Sequence, residues 1–209
     1  WIFLKLVTDE GIEGAGECTY HNRLNHVAVE LIKDLGERYV IGSDPFQIEK
    51  LWWEIYEGQG ARHSGPISTP VLSAIEMACW DIVGKALNQP IYNLLGGVFN
   101  EKLRAYSYLS GWRAGDPAEK AADLALEYVS QGFTAVKFDP VDMRTSDQLE
   151  TLRYAEGVVR AVREAVGDRC DILIGTHGQF TTEGAIRFAK RVEQYDPRWF
   201  EEPVPPENI

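Results

Sequence analysis

The chain has 209 residues, 44% of them hydrophobic, with 21 Lys+Arg against 32 Asp+Glu and a formal net charge of -11. That apolar share excludes a disordered chain, and the length allows one full core or a small domain plus part of a larger one. An anionic surface repels phosphate backbones and acidic lipid heads, so nucleic acid is not an expected partner, and no apolar run approaches the roughly 20 residues of a membrane helix.

Cys18, Cys79 and Cys170 are odd in number and form no CxxC, which signals neither a disulfide framework nor a zinc site and fits a reducing, cytoplasmic setting. No basic region followed by an apolar stretch opens the chain. It begins Trp1-Ile2-Phe3-Leu4-Lys5-Leu6-Val7, inside what reads as a strand and without an initiator Met, so the start reads as cut.

Residues 1–8 are rich in β-formers and run into the turn signal Thr8-Asp9-Glu10-Gly11. Ile12 to Glu17 then reads as a glycine-spaced second strand, giving a hairpin. From Asn25 the period becomes helical through Val27, Leu31 and Leu35, and Asp44-Pro45 predicts the start of a helix bearing Ile48, Leu51, Trp52 and Ile55. Glu57 to Pro66 is punctuated and aperiodic, hence a loop. Pro70 to about Leu87 predicts a long helix, and Ile91 to Leu95 a helical turn stopped by Gly96-Gly97.

After residue 100 strands alternate with helices. The expected strands are Leu103–Leu109, Phe133–Asp139, Asp171–His177 and Trp199–Val204, and the helices lie at about 117–131, 146–166 and 182–194. This alternation implies right-handed βαβ units on a parallel sheet. An eight-stranded barrel takes about 250 residues, so residues 101–209 amount to half of one; an open four-stranded α/β sheet is the alternative.

Ionisable side chains gather at the C-terminal ends of these strands: Lys137 and Asp139, His177, then Glu201 and Glu202. That end carries the catalytic face of parallel α/β folds. Lys137 and Asp139 are two apart and share a strand face, whereas Glu201 and Glu202 point to opposite faces, so at most one of the two enters a barrel, where burying it demands a cation or metal. Taken singly, each is also explained as a rim ion pair, a helix cap or a solvated acid. His21, His26 and His63 lack metal-ligand spacing, Trp52, Trp53 and Trp80 suit core packing, and Gly11 to Glu17 lacks the strand-to-helix context of a dinucleotide fingerprint.

The hairpin Thr8 to Glu17, the helix Ala74-Ile75-Glu76-Met77-Ala78-Cys79-Trp80-Asp81-Ile82, Leu94-Leu95-Gly96-Gly97, Val136-Lys137-Phe138-Asp139 and Phe200-Glu201-Glu202-Pro203 together resemble the enolase superfamily. The resemblance is to its mandelate racemase/muconate lactonizing enzyme type, and within it to galactonate- and gluconate-dehydratase-like members. It implies α/β plus α+β architecture: an enolase-like α+β capping domain at 1–100, lacking its first strand, followed at 101–209 by strands 1–4 of a modified TIM (β/α)7β barrel whose C-terminal half is absent.

The resemblance further implies a Mg2+-assisted lyase that removes the proton α to the carboxylate of a small acid sugar and expels the β-hydroxyl, giving a 2-keto-3-deoxy acid. By position, Glu201 is the expected metal ligand, Lys137 lies near the substrate carboxylate, His177 is the leaving-group acid and Asp139 stands where racemases carry a second Lys. Gly175 occupies the place of the first metal ligand. Tyr20, Arg62 and His63 are expected to cover the substrate, and a homo-oligomer is expected. A racemase, epimerase or cycloisomerase of the same superfamily, and a non-catalytic acid-binding or oligomer subunit, are the alternatives.

Overall fold

The computed structural model describes residues 1–19, 25–58, 65–142 and 148–208. The chain divides into two compact units, Trp1–Glu101 and Lys102–Ile209, each with its own buried core. Among the described residues no helix is long and apolar enough to cross a membrane.

In the first unit, β1 (Ile2–Val7) and β2 (Glu13–Cys18) form an antiparallel hairpin in register from Ile2↔Cys18 to Val7↔Glu13. Ile2 and Leu4 alternate inward with Gly14, Gly16 and Cys18, as a half-buried ribbon requires. Helix α1 (Asn25–Leu35) runs on into a π-helical turn, Gly36–Val40, and is followed by α2 (Ile48–Gly58), α3 (Ser68–Ala86) and the short α4 (Ile91–Leu94). Helix α2 begins later than Asp44-Pro45 suggests. The Asp44 carboxylate accepts from the Phe46 N–H at 2.9 Å and its carbonyl from the Gln47 N–H at 3.0 Å, so a turn closes first.

The glycine spacing of β2 has a packing reason. A Cβ at Gly16 would stand 1.9 Å from the Ala74 carbonyl oxygen, and one at Gly14 2.1 Å from that of Ala78. Helix α3 therefore lies on the strand backbone itself. The contact is tied by Asp81, which accepts from the Ala15 N–H at 2.9 Å, and by Lys85, whose Nζ donates to the Glu13 carbonyl at 2.7 Å. Lys85 and that N–H hold the Asp81 carboxyl below the usual carboxylate range.

The second unit runs β3 (Ser107–Tyr108), α5 (Ala118–Ser130), β4 (Ala135–Phe138), α6 (Leu149–Val166), β5 (Asp171–Ile174), α7 (Thr182–Val192) and β6 (Trp199–Phe200). The strands pair in parallel in the order β3-β4-β5-β6. Sequence order equals spatial order, so these strands contain no reversal of the kind that makes the ligand crevice of doubly wound sheets. The edge strands are shorter than their β-rich sequences predict. Leu103 is largely exposed rather than paired, and Glu202, at a left-handed φ of 39°, and Pro203 end β6 early.

Alternation sorts the side chains. Val136, Phe138, Ile172 and Ile174 join Leu152, Ala155, Val159 and Phe188 of the helices in one core, while the intervening positions face the opposite side. That opposite side is concave. The Tyr106 and Trp199 rings, at opposite edges of the sheet, meet edge to face at 5.8 Å, whereas strands spaced about 4.8 Å apart on a flat sheet would hold them roughly 14 Å apart.

Candidate active site on the concave sheet face

Tyr108 lies opposite Lys137 in the β3–β4 register. Lys137 is 6% exposed, and burial of an ammonium is costly unless it is paired and hydrogen-bonded. Its Nζ meets both oxygens of the Glu201 carboxylate, at 2.7 and 2.6 Å, reaching across β5 to do so. The Tyr106 and Tyr108 rings flank the same nitrogen at 5.7 and 5.3 Å from their centroids, within cation–π range.

Asp139 follows β4 on the same side as Lys137. One carboxylate oxygen accepts from the Tyr108 hydroxyl at 2.7 Å, and the other lies 3.5 Å from His177 Nδ1. Burial, the hydrogen bond to Asp139 and the carboxylate charges of Asp139 and Glu201 together push the Tyr108 phenol far above its ordinary range, which keeps it a donor.

Gly175 lies between these groups. A Cβ there would be 2.1 Å from Asp139 Oδ1 and 3.0 Å from both Lys137 Cε and the Tyr108 hydroxyl oxygen. The space of a side chain on β5's continuation is filled from the neighbouring strand. Beyond it, the buried Thr176 hydroxyl donates to the Glu201 carbonyl, and the His177 N–H donates to the Gln179 side-chain oxygen. Helix α7 is capped by Thr181, which accepts from the Gly184 N–H at 3.1 Å, so His177 is not the cap.

Lys137, Asp139, His177 and Glu201 are thus brought together, and Glu202 is exposed to the outside. Tyr20, Arg62 and His63 lie outside the described residues. Asp171, at the far end of β5, pairs with Arg104 at 2.7 Å and Arg198 at 3.4 Å, away from the group. Sequence reasoning missed Tyr106 and Tyr108; their spacing of two, in a strand preceding Lys137, was the available signal. A cavity of about 390 Å³ opens beside Asp139, with Tyr108, Arg113, Asp142 and Gln179 in its walls. A wider groove of about 790 Å³ in the first unit runs along β1, where Lys5 is paired with Glu13 and Lys33 with Glu30, and offers no comparable cluster.

The fit to a divalent cation is incomplete. Among the described residues no group of three or more His, Cys, Asp or Glu side chains is arranged to hold an ion. Glu201 supplies a carboxylate of the right hard-oxygen type, but it is taken up by Lys137, and position 175 has no side chain to give.

Residues 1–96 match the model of the mandelate racemase / muconate lactonizing enzyme N-terminal domain, and residues 120–209 match the enolase C-terminal domain-like model. The chain belongs to the mandelate racemase / muconate lactonizing enzyme family. Within this family it is 38% identical, over 100% of its own length and 41% of the relative's, to a D-gluconate dehydratase of Thermoproteus tenax. It is likewise 38% identical to a D-galactonate dehydratase of Klebsiella pneumoniae (strain 342), over 98% of the chain and 52% of the relative. A solved family structure from Sulfitobacter sp superposes with a TM-score of 0.91 at 38% identity, covering 99% of this chain and 55% of that one. The chain thus spans about half the length of the relatives it matches.

Proposed function

We propose that this protein dehydrates a small sugar acid to a 2-keto-3-deoxy acid, acting through the concave face described above. The observation that carries the proposal is the placement of His177, backed by Asp139, on the same face as the buried Lys137–Glu201 pair. The dehydratase names of the Thermoproteus and Klebsiella relatives support it. In this scheme the four described strands are the first four of a (β/α)7β barrel.

The chemistry divides among the residues by type. A carboxylate substrate approaching an anionic protein needs local positive charge, and Lys137 supplies it by exchanging Glu201 for the substrate, holding one end of the molecule and stabilising negative charge as the α-proton leaves to a base. His177, protonated on both ring nitrogens when it acts, then gives the Nε2 proton to the β-hydroxyl oxygen and is left as the neutral Nδ1–H ring facing Asp139. The C–O bond breaks with its electron pair on that oxygen, water departs, and the α-carbon's electrons form the new C=C bond, which tautomerises to the keto acid. Asp139 is a carboxylate where a two-base racemase needs a second ammonium, which weighs against racemisation. Family enzymes generally use Mg2+, whose charge stabilises an enolate oxygen; Glu201 is the side chain here suited to it, and the steps assigned to Lys137 and His177 do not depend on its placement.

The test incubates the protein with Mg2+ and a panel of aldonic and aldaric acids, scoring keto acid and α-proton exchange in D2O. Keto acid from at least one member is expected, and His177→Asn should lose product while retaining exchange. Exchange with inversion and no water loss would assign an epimerase instead, and no exchange with any member would end the proposal.

A further inference from the structure

We infer that Tyr108, Asp139 and His177 form a relay, seated by Gly175, in which Tyr108 and Asp139 are positioning residues that fix His177 as the Nδ1–H tautomer and leave Nε2 to the substrate. What His177 protonates rests on the dehydratase proposal; the relay itself does not.

Two carboxylates and two nitrogen bases meet on this face, and the geometry sorts them. Lys137 engages both oxygens of Glu201, which frees Asp139 from the nearest cation. Asp139 then divides its own oxygens: Oδ1 accepts from Tyr108 at 2.7 Å and Oδ2 faces His177 Nδ1 at 3.5 Å. The second distance is in ion-pair range and longer than a closed hydrogen bond, as catalytic contacts often are before substrate binds. A carboxylate facing Nδ1 accepts a hydrogen bond from an Nδ1–H and so favours the proton on that nitrogen, and a neutral imidazole with its proton on Nδ1 presents Nε2 as its free nitrogen. Tyr108, kept protonated by its surroundings, stops the carboxylate from rotating away.

Gly175 is the condition for this arrangement. Any side chain would place its Cβ 2.1 Å from Asp139 Oδ1 and 3.0 Å from the Tyr108 oxygen. The Asp139 carboxylate is pinned by Tyr108 on one side and the Lys137 stem is close on the other, so it could yield only by giving up the relay. A methyl group at 175 should therefore reproduce the loss of Asp139 without altering any polar atom.

The experiment records ring-nitrogen spectra of isotope-labelled histidine in the full chain, with the His177 signals identified by their loss in His177→Asn. In the unaltered protein the neutral ring should carry its proton on Nδ1. Asp139→Ala and Gly175→Ala should both shift it toward Nε2–H, and adding Gly175→Ala to Asp139→Ala should change nothing more. Tyr108→Phe, which keeps the ring and the fold, should give an intermediate shift should Gly175→Ala fail to fold. With a turned-over substrate, these variants should lose about tenfold to a hundredfold in kcat for dehydration, with KM nearly unchanged and α-proton exchange retained. An Nε2–H tautomer in the unaltered protein, or unchanged spectra in Asp139→Ala, would overturn the relay. Absence of keto acid alongside the expected spectra would overturn the dehydratase proposal and leave the relay standing.

Discussion

Among the described residues of the second unit, Lys137 is the charged side chain that is buried. It is 6% exposed, and what keeps an ammonium there is one carboxylate and two aromatic faces. Removing one member of such a pair leaves the other charge uncompensated, which costs about 3–5 kcal/mol at fully buried sites; Glu201 is 31% exposed, so part of that is relieved by water. Lys137→Met should therefore destabilise the protein by about 2 kcal/mol, and Lys137→Met with Glu201→Gln by clearly less. Urea unfolding of the four members of this cycle measures the coupling; additive losses would mean that the pair contributes nothing as a pair. Both residues and their shared strand-end position were readable in the sequence. Their direct contact was not, because it depends on β5 presenting a glycine at the crossing point.

At the scale of elements, the contact of β2 with α3 decides the first unit. Gly14 and Gly16 leave no room between the strand and the carbonyls of Ala78 and Ala74, so helix and strand meet backbone to backbone. Overpacking a closed contact costs about 1–3 kcal/mol, and the 1.9 Å approach at Gly16 falls against rigid main chain. Gly16→Ala should cost about 2–3 kcal/mol in urea unfolding, whereas Gly11→Ala, with open space around it, should show only the strain of its positive φ. Equal losses at the two sites would remove the packing explanation. The glycines were visible in the sequence as a strand's spacing, and the absence of a following helix start excluded a phosphate loop. That they face a helix was not visible, since Ala74 lies far along the chain. The late start of α2 also escaped, because turn closure by Asp44 competes with helix capping by the same residue type, and so did the π-helical turn Gly36–Val40.

For the whole molecule, two separate cores account for all three thiols. Cys18 and Cys79 are buried in the first and Cys170 in the second. Burial raises each thiol, Cys79 to about 11 with a further push from Glu76, so the thiolate that reacts is scarce near neutrality. A thiol reagent at mildly alkaline pH should leave the native protein unlabelled over a time in which the denatured chain is labelled three times. Rapid labelling of any native thiol would contradict its burial.

The sequence by itself determined the kinds of element, their order, the concave-face candidates at strand ends and the family, because hydrophobic period and strand-end position are local properties of the chain. Only the tertiary structure decided which charges pair. Lys137 chooses Glu201 over the nearer-in-sequence Asp139 because curvature brings strands two apart in the sheet within reach of one another, and Asp139, following the strand next to Gly175, fills the volume that the glycine leaves vacant. Such a choice depends on the space between backbones, and a sequence records the residue that is missing there without recording what comes to occupy it.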